Sequence, residues 1–446
     1  MERILQYCNW LEALLWGPGM LALLLAAGIY FTLGTGFFQL RRAGLIIRRT
    51  LGTLGRKKSS PDGVTPFQAV SAALAGTMGT GNIAGIATAL VAGGPGAIFW
   101  MWVSAFFGMM TKYAEVVLAV RYRRPAPGGG WQGGPMEYIS RGLGCRPLAV
   151  LFCLLLVPAS LGIGNAAQVH SAAAAMDSAF HIPPVITGLA MAAVTGLVLL
   201  GGIRRVGKVA ENLVPLACII YFSAGSLVLF FNRQEIPGAI ALIMECAFSP
   251  RAALGGGLGY SVLRGMRAGI ARGVFSNEAG LGSAPIAHAS AHTNSPTEQG
   301  MWGIFEVFAD TLVMCTFTAL ILLTSGNLWR SGLDGSALTA EAFTHRLGPA
   351  GGWAVALSLC CFGAATLFTW AYYGEQGIAF LTKGSSFWKK LYRGTFVAVA
   401  ALSAGMRLEV VWNLSDLLNI LMAIPNLLAV VSLSGEVFQL TKKEWG

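Results

Sequence analysis

Long apolar runs separated by short polar connections dominate the chain, at about 11–34, 66–92, 97–119, 147–177, 184–202, 209–231, 263–291, 300–325, 351–382, 392–406 and 414–438. A helix needs about 20 mostly apolar residues to cross a bilayer, and most of these runs meet that length. Their number, about eleven, predicts an all-α integral membrane protein with its termini on opposite sides. Lys and Arg gather on alternate connections: Arg41, Arg42, Arg48, Arg49, Arg56, Lys57 and Lys58 after the first run, then Arg121, Arg123, Arg124, Arg141 and Arg146, then Arg204, Arg205 and Lys208. Lys383, Lys389 and Lys390 continue the series, and Lys442 and Lys443 close it in the tail. Cytoplasmic connections collect such residues, so the pattern puts the N-terminus outside and the C-terminus in the cytoplasm. The connection near His292 to Gly300 has neither Lys nor Arg and breaks the alternation. Arg264, Arg267 and Arg272 fall where the outer half of the seventh run should be, which suggests an amphipathic external piece over about 254–268.

Composition sharpens this picture. The chain is 55% hydrophobic and 11% charged, whereas an ordinary soluble domain carries roughly a quarter charged residues. A net charge of +11 would suit nucleic acid, but the basic residues sit between apolar runs with no soluble platform. They read as a topology signal, and nucleic acid is excluded as a partner. Cys153, Cys218, Cys315, Cys360 and Cys361 lie inside apolar runs, and none of the eight cysteines forms a CxxC or Cys/His cluster. They read as small packing residues. The first run lacks the basic flank and small-residue cleavage site of a signal peptide, so it reads as a retained helix.

Two runs are interrupted by glycine: Ala75-Gly-Thr-Met-Gly-Thr-Gly-Asn82 in the second, and Gly273-Val-Phe-Ser-Asn-Glu-Ala-Gly-Leu-Gly282 in the seventh. An offset of five runs reverses membrane orientation, so the second to sixth and seventh to eleventh runs read as inverted repeats behind one added helix. The resulting divisions are 1–62, 63–235 for the first repeat, 236–262 as an external connection, 263–440 for the second repeat, and 441–446 as the tail. Paired broken helices point to a midplane binding site. Opened backbone at that depth is tolerated only where protein or a watery cavity satisfies it. The amides of Gly79, Thr80 and Gly81 would begin a second half-helix and face an anion, while the carbonyls of Ala75, Thr77 and Met78 would end the first half and face a cation. The plainer role of these glycines is close helix packing.

Polar residues within the runs add candidates. Ser276 and Asn277 read as pocket residues, and Glu278 as a first-turn acid of the second half-helix, capped by Ser276 or Asn277. Asn165 and Gln168 share a helix face and suit either an interhelical bond or a ligand. Lys112 and Glu115 read as a structural pair, whereas Glu306 and Asp310 suit either an ion path or an internal network. Thr366 and Trp370 sit together on the ninth run, where a hydroxyl can bond its own helix and an indole can simply pack. No Ser/His/Asp set, metal cluster or phosphate loop is evident, which speaks against a membrane enzyme, and an interrupted helix predicts an occluded site rather than a channel.

Taken together, Gly76-Thr-Met-Gly-Thr-Gly-Asn-Ile-Ala-Gly85, Gly93-Gly-Pro-Gly-Ala-Ile-Phe-Trp-Met-Trp-Val103, Thr111-Lys-Tyr-Ala-Glu115 and Gly133-Gly-Pro-Met136 resemble the alanine or glycine:cation symporter family. Arg272 to Pro285, Trp302 to Phe308, Tyr372-Tyr-Gly-Glu375 and Met422-Ala-Ile-Pro-Asn426 extend the resemblance over nearly the whole chain. It implies a leucine-transporter-like fold, two inverted five-helix repeats behind an extra N-terminal helix, in a multi-pass bacterial inner-membrane protein read as a monomer. It also implies sodium-coupled uptake of a small neutral amino acid such as alanine or glycine, with no enzymatic step. By the same resemblance the amino acid would lie against Thr77 to Gly81, Gln168, Phe275, Ser276, Asn277 and Trp370. Sodium, the coupling ion, would sit between the carbonyls of Ala75, Met78 and Phe362 and a hydroxyl of the ninth run. Here Ala365-Thr366 stands where the family pattern has Ser-Thr, Thr369 where it has Gly, and His170 where a smaller polar residue is usual.

Overall fold

In lipid, backbone N–H and C=O groups must be satisfied within the chain, and helices do this with local bonds alone. The computed structural model is accordingly helical; it describes residues 15–53, 65–126, 130–248, 262–326, 328–406 and 408–445. Among them the sheet content is one short antiparallel ribbon, pairing Arg124 with Gln132 and Pro125 with Trp131. Among the described residues six helices are long and apolar enough to cross a membrane: Gly96–Arg121, Arg146–Phe180, Arg205–Phe231, Pro296–Thr324, Pro349–Leu381 and Ser415–Ser432. Pro18–Gly34, Ala84–Gly93, Pro184–Leu199 and Ile236–Phe248 are apolar but shorter.

Both glycine-rich interruptions are helix breaks. The first separates Pro66–Thr77 from Ala84–Gly93, with a single 3-10 turn at Thr80–Asn82 between them. The second follows Val262–Asn277, and the chain turns through Gly280 and Gly282, both at positive φ, before the short helix Ala284–His288. Long unbroken helices brace these pieces: Gly96–Arg121 packs along Val262–Asn277 and Pro296–Val307, and Pro349–Leu381 packs along Ala167–Phe180 and Gly202–Phe231. Two helices near the site change to π geometry, over five residues at Gly162–Ala166 and eight at Phe308–Cys315. Such bulges free carbonyls and concentrate at functional positions.

Several expectations need correction. The suggested external piece falls partly on residues 249–261, which lie outside the described residues; 262–268 belong to the continuous helix Val262–Asn277. Arg272 faces the bundle, where its Nη1 donates to Asp416 Oδ1 at 3.2 Å and its guanidinium lies over the Phe275 ring. Helix Ile236–Phe248 fills part of the supposed connection, and Gly335–Leu347 forms a further helix in a stretch that reads as a loop. The latter is half-polar, so it carries no apolar run, yet Asp334 caps it and Thr339 Oγ1 donates to the Ile83 carbonyl freed by the first break. The helix of the last apolar run ends at Ser432, and Ser434–Trp445 forms a separate helix.

That last helix explains the connection without Lys or Arg. Glu444 accepts from Ser295 at 2.6 Å and also from Thr297, Trp445 Nε1 donates to Thr297, and Arg42 reaches the Trp445 carbonyl at 2.7 Å. Arg49 reaches Glu298 across the same surface. The first basic connection, the 292–300 connection and the tail therefore share one side of the molecule, and that side is strongly basic although one of its connections is not.

Candidate functional site

The first break is built on a helix start and a helix stop. Thr65 and Gln68 form a reciprocal capping box that fixes where Pro66–Thr77 begins. The helix stops at Met78, whose ψ of 76° turns the chain out of the helical path. Gly79 follows in extended backbone, and a Cβ there would lie 2.7 Å from Thr366 Oγ1 and 2.9 Å from Gln168 Oε1. Only glycine leaves those groups in place. The Gly79 amide donates to Asn82 Oδ1 at 3.1 Å, and the Thr80 amide donates to Gln168 Oε1 at 3.0 Å. Gln168 is held by its other end, because Nε2 donates at 2.9 Å to the Ile163 carbonyl of the adjacent π segment. Gly81 backs onto Phe275, whose ring a Cβ would approach to 3.2 Å.

Two of the proposed cation ligands meet. Thr366 Oγ1 donates to the Ala75 carbonyl at 2.8 Å, and one turn later Thr369 Oγ1 donates to the Ala72 carbonyl at 3.1 Å. Both hydroxyls reach from Pro349–Leu381 to the closing carbonyls of the first half-helix. Phe362 is fully buried one turn before Thr366, and Met78 is buried at the break itself. The Thr77 hydroxyl bonds back to the Ala73 carbonyl at 3.3 Å.

The second break turns its polar side chains elsewhere. Ser276 Oγ donates to Asp310 Oδ2 at 2.8 Å and Asn277 Nδ2 donates to Thr311 Oγ1 at 3.1 Å. Asp310 Oδ1 also accepts from Asn82 at 2.6 Å, so this one carboxylate ties both breaks together. Trp370 Nε1 donates to Glu278 Oε1 at 2.8 Å, and the indole lies on Gly164, where a Cβ would fall 2.1 Å from its own Cβ. Thr77, Gly79, Thr80, Gly81, Gln168, Phe275 and Thr366 thus come together around the first break. Ser276 and Trp370 border it while engaged with acids, and Asn277 bonds Thr311.

Two expectations at the site are revised. Glu278 is not a capped first-turn acid: it sits in the turn at φ 54°, and its carboxylate takes the Trp370 indole and the Ser283 hydroxyl. Lys112 and Glu115 do not pair with each other. Lys112 Nζ lies 3.5 Å from Glu306, whereas Glu115 accepts the Gly280 and Gly282 amides at 3.1 and 2.9 Å and also takes Asn426 Nδ2 at 2.5 Å. Three residues apart on a helix is close enough to touch, but freed amides of the second break offer Glu115 better donors. The alternative of an internal network holds for Glu306, which also bonds His288 at 2.8 Å. Asn165 makes the interhelical bond of the two roles open to it, donating to the Phe396 carbonyl at 2.8 Å. Sequence reading missed Asn82, Thr311, Asn426 and Gln299 as participants. Asn82 carried a signal, a lone amide closing a glycine-rich run inside apolar sequence.

The chain is 44% identical over 443 residues to the sodium/alanine symporter AgcS of Methanococcus maripaludis, covering 97% of this chain and 96% of that one. It is 38% identical over 447 residues to the probable sodium/glutamine symporter GlnT of Bacillus subtilis, covering 99% and 91%. Among solved structures, the Eremococcus coleocola manganese transporter shares the fold over 82% of this chain and 76% of that one, at 15% identity and a TM-score of 0.51. The model of the sodium:alanine symporter family matches residues 1–444, and the chain belongs to that family of membrane transporters.

Proposed function

We propose that the protein carries a small neutral amino acid, alanine or glycine, into the cell together with sodium by alternating access, and catalyses no covalent step. The observation that carries this reading is the first helix break. Within one turn it presents the amides of Gly79 and Thr80, suited to a carboxylate, and the Ala75 carbonyl with the Thr366 hydroxyl, suited to a hard cation. The side-chain carbonyls of Asn82 and Gln168 stand in for the carboxylate. The amino acid would displace them, with Phe275, Ser276, Asn277 and Trp370 closing the pocket around a short side chain. Sodium would take the carbonyls of Ala75, Met78 and Phe362 and the Thr366 hydroxyl. Names of relatives support sodium and alanine or glutamine as the transported class. In sealed vesicles holding the purified protein, an inward sodium gradient should concentrate intact alanine. Accumulation that ignores sodium and follows only a proton gradient would remove sodium from the account.

The two breaks support two inverted repeats, 63–235 and 263–440, joined through 236–262, behind the leading segment 1–62 and before the tail 441–446, in about eleven spans. The protein works as a monomer in the inner-membrane bilayer. The shared basic face of the first connection and the tail supports a cytoplasmic C-terminus and an external N-terminus. A cysteine at the exposed position Gln234 should react with an impermeant thiol reagent on intact cells, and one at exposed Arg41 should not, in a variant whose native cysteines are replaced. Reversed labelling overturns the orientation.

Thr366 is the one hydroxyl retained at the paired positions Ala365 and Thr366, so the sodium site depends on it. Thr366→Val keeps the volume and removes the oxygen. It should raise the half-saturating sodium concentration about tenfold, the equivalent of about 1.4 kcal/mol. Ala365→Ser should lower it. Uptake kinetics across a sodium series read both, and an unchanged sodium dependence in Thr366→Val excludes its hydroxyl as a ligand.

A further inference from the structure

Away from the two breaks, a cavity of about 550 Å³ lies between the 121–146 connection and the turn that ends Pro349–Leu381. Arg123 Nη2 donates to the Thr293 carbonyl at 2.5 Å and Arg121 lies 3.9 Å from Glu436 of the last helix, so this connection belongs to the same basic face as the tail. Five cations line the cavity, Arg124, Arg141, Arg146, Lys383 and Lys389, against one acid, Glu137. Glu137 is taken by Arg124, at 2.7 Å. Among the described residues no acid pairs with the other four cations.

The backbone adds to this charge. Arg146 opens helix Arg146–Leu161 and Lys389 lies in the first turn of Ser386–Ser403, and neither helix start has a side-chain cap. Their free amides and positive ends therefore reinforce the cations. The opposing negative end of Pro349–Leu381 is closed, because the Thr382 and Gly384 amides donate to the Ile378 and Ala379 carbonyls at 2.9 and 2.7 Å. Lys383 holds φ 53° in that turn, where glycine or asparagine is the usual residue. Arg141 is fixed by its Nη1, which donates to the Tyr122 carbonyl at 3.0 Å. A hollow of small-molecule size walled by one sign of charge draws in an anion.

We infer that this cavity binds the phosphate headgroup of an anionic membrane phospholipid. The phosphodiester supplies the counter-charge that four unpaired cations lack. The flanking surface selects a lipid over a soluble phosphate. Phe387 and Trp388 stand exposed in the same turn as Lys389, their rings edge to face, and Leu391 is exposed beyond them. Leu151 and Leu154 are exposed on the helix that Arg146 opens. Exposed aromatic rings belong at headgroup depth, and exposed leucines beside them meet acyl chains. The site uses none of the residues assigned to the amino acid or to sodium, so it stands apart from the transport reading.

The test is equilibrium binding of labelled phosphatidylglycerol to the full chain in detergent micelles, with phosphatidylcholine of the same acyl chains as the comparison. Phosphatidylglycerol should bind about tenfold or more tightly than phosphatidylcholine, and Arg146→Gln/Lys389→Gln should weaken it about 30-fold. Lys442→Gln/Lys443→Gln, exposed on the same face but outside the cavity, should bind it as wild type does. Equal affinity for the two lipids, or wild-type affinity in Arg146→Gln/Lys389→Gln, overturns the site. An equal loss in the tail variant also overturns it, since the charge of the whole face would then be responsible. Displacement of the lipid by an equal concentration of glycerol 3-phosphate overturns the lipid assignment and makes the cavity a site for a soluble phosphate. Should Arg146→Gln/Lys389→Gln not fold, Lys383→Gln in the exposed turn should weaken phosphatidylglycerol about fivefold, and no change overturns the inference.

Discussion

Lys112→Met should lower folding stability by about 3–5 kcal/mol, the usual result of removing one partner from a buried ion pair. Lys112 and Glu306 are both fully buried, with Nζ 3.5 Å from Oε1. The other Glu306 oxygen lies 2.8 Å from His288 Nε2, and Gln299 Nε2 donates at 2.9 Å to His288 Nδ1. Lys112 and His288 thus both face Glu306, with Lys112 as its lysine partner. Thermal unfolding in detergent reads the loss directly. The double variant Lys112→Met/Glu306→Gln, which removes both charges, should recover much of it. Equal instability in single and double variants would show that packing around Lys112, and not its charge, is what matters.

Gly79→Val should reduce alanine affinity by at least about 100-fold, equivalent to about 2.7 kcal/mol, while the protein still folds. The added carbon atoms would fall where Thr366 Oγ1 and Gln168 Oε1 now lie, 2.7 and 2.9 Å from the ideal Cβ position. Both neighbours are side-chain ends that can withdraw, so the bundle tolerates the change, but the space vacated for a carboxylate is filled. Equilibrium binding of labelled alanine checks it. Wild-type affinity in Gly79→Val would place the ligand away from this break.

The sequence made the two helix breaks visible because glycine inside an apolar run has a conformational cost that lipid does not offset, so its presence marks opened backbone. The same logic located Gln168, Ser276 and Thr366 as polar groups without an obvious reason to be in a membrane. It did not reveal their partners. Asn82, Asp310 and Thr311 meet Ser276 and Asn277 only because two segments far apart in sequence cross at this point. Lys112 and Glu115 invited pairing at i,i+3, and tertiary donors overrode it. Helix Gly335–Leu347 went unread because a short, half-polar helix has no long apolar run to announce it.

The account's central claim is that sodium and a small amino acid bind together at the first helix break. Equilibrium binding of labelled alanine to the detergent-purified protein, across a series of sodium concentrations at constant ionic strength, tests it most directly. Sodium should tighten alanine binding by about tenfold or more, potassium should not replace it, and alanine should tighten sodium binding by the same factor, as linkage requires. Alanine affinity that is the same in sodium and in potassium would contradict the claim.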